Sequence, residues 1–256
     1  WFHGRISRIY PSIWIVLIFL QIPVMIILGS FNNADYIFTF IGKFFNPPFW
    51  FLQALLVYYV LSFFFLKDNR KSKLFFLLGA LGVLYFTIYF SCLDLSKWLI
   101  EDHPFKLIHY FMVFLFGIYL AINNKSITYT GWHNYLVPVL MIIIIYGHKI
   151  LMTKGLYPEL QFIQQMAMYP FVFYLLKISR SPHVSALLGK SRTVSTCVNF
   201  IADHSLELYI IQETLVVPLE KLNFPIPLNV IIFLCLTFIL SALTNRLAVT
   251  MRKKIS

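Results

Sequence analysis

The sequence predicts an all-α fold, a polytopic bundle of about eight transmembrane helices forming one integral membrane domain over residues 1–256. Composition carries the first part of that prediction. Apolar residues make up 59% of the 256 positions and charged residues only 12%, against about 45–50% and about 25% in soluble domains. Ten acidic and 21 basic side chains cannot give a chain of this length a polar skin. The mean hydropathy of +0.77 points to lipid as the solvent. Pattern carries the second part. Phe63-Phe64-Phe65-Leu66 and Ile142-Ile143-Ile144-Ile145 are continuously apolar, whereas barrel strands alternate lipid-facing and lumen-facing residues.

A bilayer core needs about 20 apolar residues per helix, and the chain offers them in order. The first stretch covers 9–29, and Asn46-Pro47-Pro48 separates it from the second, 49–66. The basic turn Lys67-Asp68-Asn69-Arg70 leads to 74–93, and Asp102-His103-Pro104 to the short fourth stretch, 105–121. The fifth and sixth follow at 134–152 and 159–178, the latter diluted by Gln161, Gln164 and Gln165. Ser181-Pro182 closes it, and 198–217 and 226–249 complete the series. The breakers between stretches are the expected turn formers. No soluble domain, internal repeat or low-complexity run interrupts them.

Fifteen of the 21 Lys and Arg residues fall on the side shared by Arg5, Lys67–Lys73, Arg192 and Lys253. That excess places both ends of the chain in the cytoplasm. The same alternation excludes nucleic acid as a partner, because the net charge of +11 is spread over loops rather than gathered on one face. Three Cys exclude a disulfide scaffold; Cys92, Cys197 and Cys235 are expected to pack as small hydrophobes. No metal-ligand spacing, phosphate loop or nucleophile elbow is present. Trp14, Trp50, Trp98 and Trp132 sit near span ends, as aromatic belts do.

An ionisable side chain within a span marks a functional site by default. Glu207 lies near the middle of the seventh stretch, with Asp203 and His204 before it and Gln212 and Glu213 beyond. His204 and Glu207 are three apart, so they share one face of that helix. A carboxylate there is either met by an Arg or Tyr of a neighbouring helix or faces a wet cavity. Arg5 and Arg8 are also three apart, and two guanidiniums so placed either grip a phosphate or carboxylate or simply anchor the membrane surface. His109 reads as a hydrogen-bonded packing histidine, and His148 with Lys149 as interfacial.

Several segments carry a family resemblance. Arg5-Ile6-Ser7-Arg8-Ile9-Tyr10-Pro11-Ser12-Ile13-Trp14 resembles the Arg-x-x-Arg-Ile-x-Pro-x-x-Trp segment of the acyltransferase-3 family of membrane O-acyltransferases. Trp50-Phe51-Leu52 with Leu55-Leu56-Val57-Tyr58-Tyr59 is similar to its Trp-Phe-Leu…Leu-x-x-Tyr-Tyr span, and Phe114–Leu120 to its Phe-x-x-Gly-x-x-Leu helix end. Ser205-Leu206-Glu207-Leu208-Tyr209-Ile210-Ile211 resembles the late Ser-x-x-x-Tyr-Leu-Ile-His segment, with Gln212 where many members carry His. The resemblance implies about ten spans in the full family, so that about two more, one bearing the catalytic His, are expected before Trp1.

It also implies transfer of an acyl group, commonly acetyl from acetyl-CoA, to a sugar hydroxyl of a cell-surface glycan or its lipid-linked precursor. Acyl-CoA is then a co-substrate, with no tightly bound cofactor and no metal. The implied setting is the bacterial cytoplasmic (inner) membrane. Arg5 and Arg8 would bind the donor, Glu207 and His204 serve catalysis, and Trp50, Tyr58, Tyr209 and Gln212 line the acceptor. The rival reading is a proton-coupled transporter or glycan flippase using Glu207 and His204 as a relay, but such proteins show internal repeats and broken helices, and neither is visible in the sequence. The orientation is open to test: reporter fusions after Lys73 and Arg192 are expected to read cytoplasmic and those near Asn46 or Lys154 external. A reversed pattern would remove the Arg pair from the compartment that holds coenzyme A.

Overall fold

The computed structural model describes residues 2–27, 50–66, 71–96, 105–124, 127–222 and 224–255, and within these every regular element is helical. The turns expected at 46–48, 67–70 and 102–104 lie outside the described residues, as do the side chains of Arg5, Arg8 and Trp50. The elements are α1 (Phe2–Val16), a π-helical turn (Leu17–Gln21), α2 (Ile22–Ile27), α3 (Trp50–Leu66), α4 (Lys71–Cys92) and α5 (Lys106–Ile122). Then come α6 (His133–Thr153), a 3₁₀ turn (Pro158–Leu160), α7 (Gln161–Ser179), α8 (Pro182–Lys190), α9 (Arg192–Asp203), α10 (Ser205–Lys221) and α11 (Ile226–Ile255).

Among the described residues four helical stretches are long and apolar enough to cross a membrane: Ile9–Ile27, Lys71–Cys92, His133–Thr153 and Ile226–Lys253. Phe51–Phe65 and Lys106–Ile122 are apolar but shorter. The expected eight spans are therefore matched by length and composition in half their number. The seventh stretch, expected as one helix over 198–217, is instead two. It breaks at His204, whose backbone (φ −110, ψ 11) leaves the helical region. Hydropathy registers apolar content and is blind to such a break.

Contacts divide the chain into two compact units, residues 1–57 with 193–256, and residues 58–192. In the first, α1, α10 and α11 pack together. On α10 the buried face follows helical spacing, with Glu207, Ile210, Ile211 and Leu215, while the first span is buried more widely, at Ile9, Pro11, Ser12, Ile13, Ile15, Val16 and Leu17. On α11 the buried face is small and polar, Thr237, Ser241, Thr244 and Ala248, while Ile231, Leu234, Ile239, Leu243 and Leu247 are exposed. In lipid, burial of apolar surface gives no preference for one helix face, so small residues that admit a close neighbour mark the interface instead.

In the second unit α6 packs along α7, and α4 on α5. Its core joins Tyr85, Tyr89, Phe105 and Met112, flanked by Phe162, Met166 and Tyr169. The glutamines that dilute the sixth stretch are buried here. Tyr85 donates to Gln165, Gln161 Nε2 to the Leu95 carbonyl at 3.3 Å, and Gln164 Nε2 pairs with His148 Nδ1 at 2.5 Å. His148, expected at the interface, is thus buried; its Nε2 donates to the carbonyl of Tyr157 at 3.1 Å, a residue in the left-handed conformation (φ 52). Cys92, Cys197 and Cys235 are also corrected: all three sit on exposed faces rather than in packed ones.

The inside-out packing of α11 yields a contrast. Ala248→Leu forces a branched side chain into a fully buried contact and is expected to cost about 1–3 kcal/mol. Leu247→Ala, one residue earlier on the exposed face, is expected to stay within about 0.5 kcal/mol. Unfolding midpoints in detergent read the difference, and equal effects would mean that α11 packs through its apolar face.

Candidate functional site

The site is built where a helix start meets two packed neighbours. After the break at His204, α10 begins at Ser205 and carries Glu207 in its first turn. The positive end of the helix dipole favours a carboxylate there. Only 2% of Glu207 is exposed, so the group must find its partners within the protein. It finds one on α1, where Ser12 Oγ donates to Glu207 Oε1 at 2.6 Å. It finds the second near the end of α11, where Arg252 Nη2 lies 3.7 Å from the same oxygen and 3.5 Å from Ser12 Oγ. Three helices converge on one carboxylate.

Glu207 is therefore met by an Arg from a neighbouring helix, one of the two arrangements its position in the sequence allows. His204 does not share its face. The His204 ring turns back over α9, stacked on Phe200 at a centroid distance of 4.0 Å, with Nδ1 2.8 Å from the Phe200 carbonyl. The two residues expected to act together are separated by the break, because helical i, i+3 proximity holds only within a continuous helix.

Arg5 and Arg8 belong to α1 upstream of Ser12. Positions 5, 8 and 12 recur at helical spacing and place both arginines on the backbone face that carries Ser12. Trp50 opens α3. Tyr209 sits on α10 against Phe51, ring centroids 5.5 Å apart, while Gln212 is exposed on the same helix. Tyr58 belongs to the other unit. It packs on Phe111 at 5.0 Å and donates to the Leu107 carbonyl at 2.7 Å, so its hydroxyl is already engaged. His109 is buried in the same unit, with Nδ1 3.5 Å from the Tyr169 hydroxyl, as a packing histidine would be.

Sequence reasoning missed Ser12 and Arg252. A signal for Arg252 exists: Thr237, Ser241, Thr244, Ala248 and Arg252 recur at spacings of three and four, so the stripe that packs α11 also aims its last member at the bundle. Toward the other end of α10, about 18 Å from Glu207 at 1.5 Å per residue, lies a largely apolar groove of about 240 Å³ lined by Val216, Leu219, Ile226, Val230 and Phe233, with Glu220 and Asn229 as its polar members. It carries little polar surface and is separate from the Glu207 cluster. Among the described residues no group of His, Cys, Asp and Glu side chains could hold a metal ion.

Comparison with known proteins gives one positive finding: a family model described as an acyltransferase domain, acyltransferase-3, matches residues 1–246. No curated protein matches the chain, and no solved structure does.

The Ser12 contact makes a specific demand. Ser12→Ala removes the closest hydrogen bond to a buried carboxylate and is expected to lower stability by about 1–3 kcal/mol. Ser7→Ala, on the same helix, serves as the reference. Chemical denaturation in mixed micelles reads the effect, and a silent Ser12→Ala would mean that the hydroxyl does not serve Glu207.

Proposed function

The chain belongs to the acyltransferase-3 family, and on that premise we propose that it transfers an acetyl group from acetyl-CoA to a sugar hydroxyl of a cell-surface glycan or its lipid-linked precursor. Membrane acyl transfer is the activity class of the family, and the apolar spans make the chain an integral membrane protein. The observation that carries the reading is the match over residues 1–246, nearly the whole chain. The acetyl donor, the sugar acceptor and the bacterial cytoplasmic membrane are the finer parts of the proposal.

The chemistry makes definite requirements. The acceptor hydroxyl attacks the thioester carbonyl, an ester C–O bond forms, the C–S bond breaks and coenzyme A leaves as its thiol. A base must take the hydroxyl proton, and donors must hold the oxyanion. Arg5 and Arg8 hold phosphate groups of the donor, and the excess of cations on their side of the membrane supports placing them in the cytoplasm, where coenzyme A is found. Glu207 is a positioning residue, fixing α1 to α10 and α11 through Ser12 and Arg252, and thereby the helix that carries the arginine pair.

An Arg→Lys exchange separates donor binding from anchoring. Lys orients a helix as well as Arg does, but it cannot reproduce a planar fork of donors. Arg5→Lys and Arg8→Lys are each expected to cut transfer by about 10- to 100-fold, the worth of a charge-assisted hydrogen bond, with expression and insertion unchanged. The assay uses full-length protein in membranes, with labelled acetyl-CoA as donor and incorporation into surface glycan as readout. Wild-type incorporation by the double variant at limiting donor would return the pair to anchoring.

A further inference from the structure

We infer that Arg252 is an anion ligand, whose guanidinium at the edge of the Glu207–Ser12 pair takes a phosphate group of the acyl donor. The identity of the anion rests on the acyl-CoA reading above; the existence of an anion site does not. Arg252 lies beyond residue 246, where the family match ends, so the assignment comes from this chain's own geometry.

Three observations converge on it. First, the guanidinium is poorly used. Its contacts among the described residues run through Nη2, 3.7 Å from Glu207 Oε1 and 3.5 Å from Ser12 Oγ. Both are longer than a good N–H···O bond, and the forked bonding open to an Arg–carboxylate pair is not formed. Second, Nε is shut away from solvent and has no hydrogen-bond partner among the described residues. A sealed donor on a charged group is costly unless something meets it. The side chain as a whole remains 27% exposed, so an incoming anion can reach the guanidinium from outside through nitrogens other than Nε. Third, the local charge does not balance. Neither α1 nor α11 contains an acidic residue, while Arg5, Arg8, Arg246, Arg252, Lys253 and Lys254 all lie on these two helices. The adjoining α9 and α10 carry Asp203, Glu213 and Glu220 on exposed faces and only Glu207 within the cluster, so a surplus of cations remains where α1 and α11 pack against each other. A polyanion is the ligand class that such a surplus selects.

A purely neutralising role for Arg252 makes a different prediction, and the sign of one variant separates the two. Purified full-length protein in dodecyl maltoside, free of phosphate, is titrated with coenzyme A and separately with inorganic pyrophosphate, reading affinity from the thermal shift. Both anions are expected to stabilise the wild type. Arg252→Gln is expected to weaken both by about 10-fold or more. Because that variant leaves Glu207 unmatched, the charge-free double variant Glu207→Gln/Arg252→Gln is measured beside it and is expected to show the same loss. Glu207→Gln alone is expected to bind both anions several-fold more tightly, since the guanidinium is released from its counterion.

Coenzyme A binding that is unchanged in the double variant and gains nothing from Glu207→Gln would overturn the inference while leaving the acyl-CoA reading standing. Pyrophosphate binding that depends on Arg252, with no coenzyme A binding by the wild type, would keep the anion site and overturn the donor reading instead. Stabilisation by phosphatidylglycerol but by neither soluble anion would assign the guanidinium to a lipid headgroup and also overturn the inference.

Discussion

A carboxylate enclosed by apolar helices is tolerated only when hydrogen bonds and a cation meet it, and the first unit of this protein is organised around that demand at Glu207. The break at His204 lets a new helix begin two residues before it, so that Glu207 sits at the favourable end of α10. Ser12 supplies the hydrogen bond from α1, and Arg252 the countercharge from α11. Each partner comes from a different helix, so the cluster fixes their mutual register. Lipid offers no hydrophobic drive toward one arrangement of helices over another. Specific polar contacts of this kind, with the small residues Ser241 and Ala248 fully buried on α11, then decide which faces meet.

The second unit uses the same logic with neutral groups. Gln161, Gln164 and Gln165 look like a dilution of the apolar run, yet they are the residues through which the start of α7 reaches its neighbours. Tyr85 answers Gln165, His148 answers Gln164 and the Leu95 carbonyl answers Gln161, and all three glutamines, Tyr85 and His148 are buried. Polar residues within apolar spans are here the fastening points, and large apolar ones such as Phe75, Phe76, Ile143 and Tyr146 face outward.

Much of this was legible before the structure, for physical reasons. Continuous apolar runs admit helices and exclude barrel strands, and a Glu in the late stretch had to be met by a neighbouring residue or by water. The break at His204 was not legible, since neither Pro nor Gly marks it and apolar content continues on both sides. Hydropathy also put His148 at the interface because it lies near the end of its run; only the fold shows Gln164 and the Tyr157 carbonyl closing over it. Ser12 and Arg252 were hidden in another way. Each has an ordinary local explanation, one as a small residue after Pro11 and the other as a cytoplasmic anchor, and their common purpose appears only when helices far apart in sequence are packed together.

Membership of the acyltransferase-3 family gives this arrangement its setting. The arginine pair of α1 lies on the helix that Ser12 ties to Glu207, so any donor held by that pair depends on the cluster for its position. Charge reversal across the pair tests this directly. Glu207→Arg and Arg252→Glu are each made alone and then together, and the yield of folded, monodisperse protein from membranes is measured. Each single reversal, which places like charges together in a low-dielectric site, is expected to collapse the yield, and the double reversal to restore a substantial part of it. A double variant no better folded than the worse single one would contradict the claim that a cation at position 252 is what allows a carboxylate to sit buried at position 207.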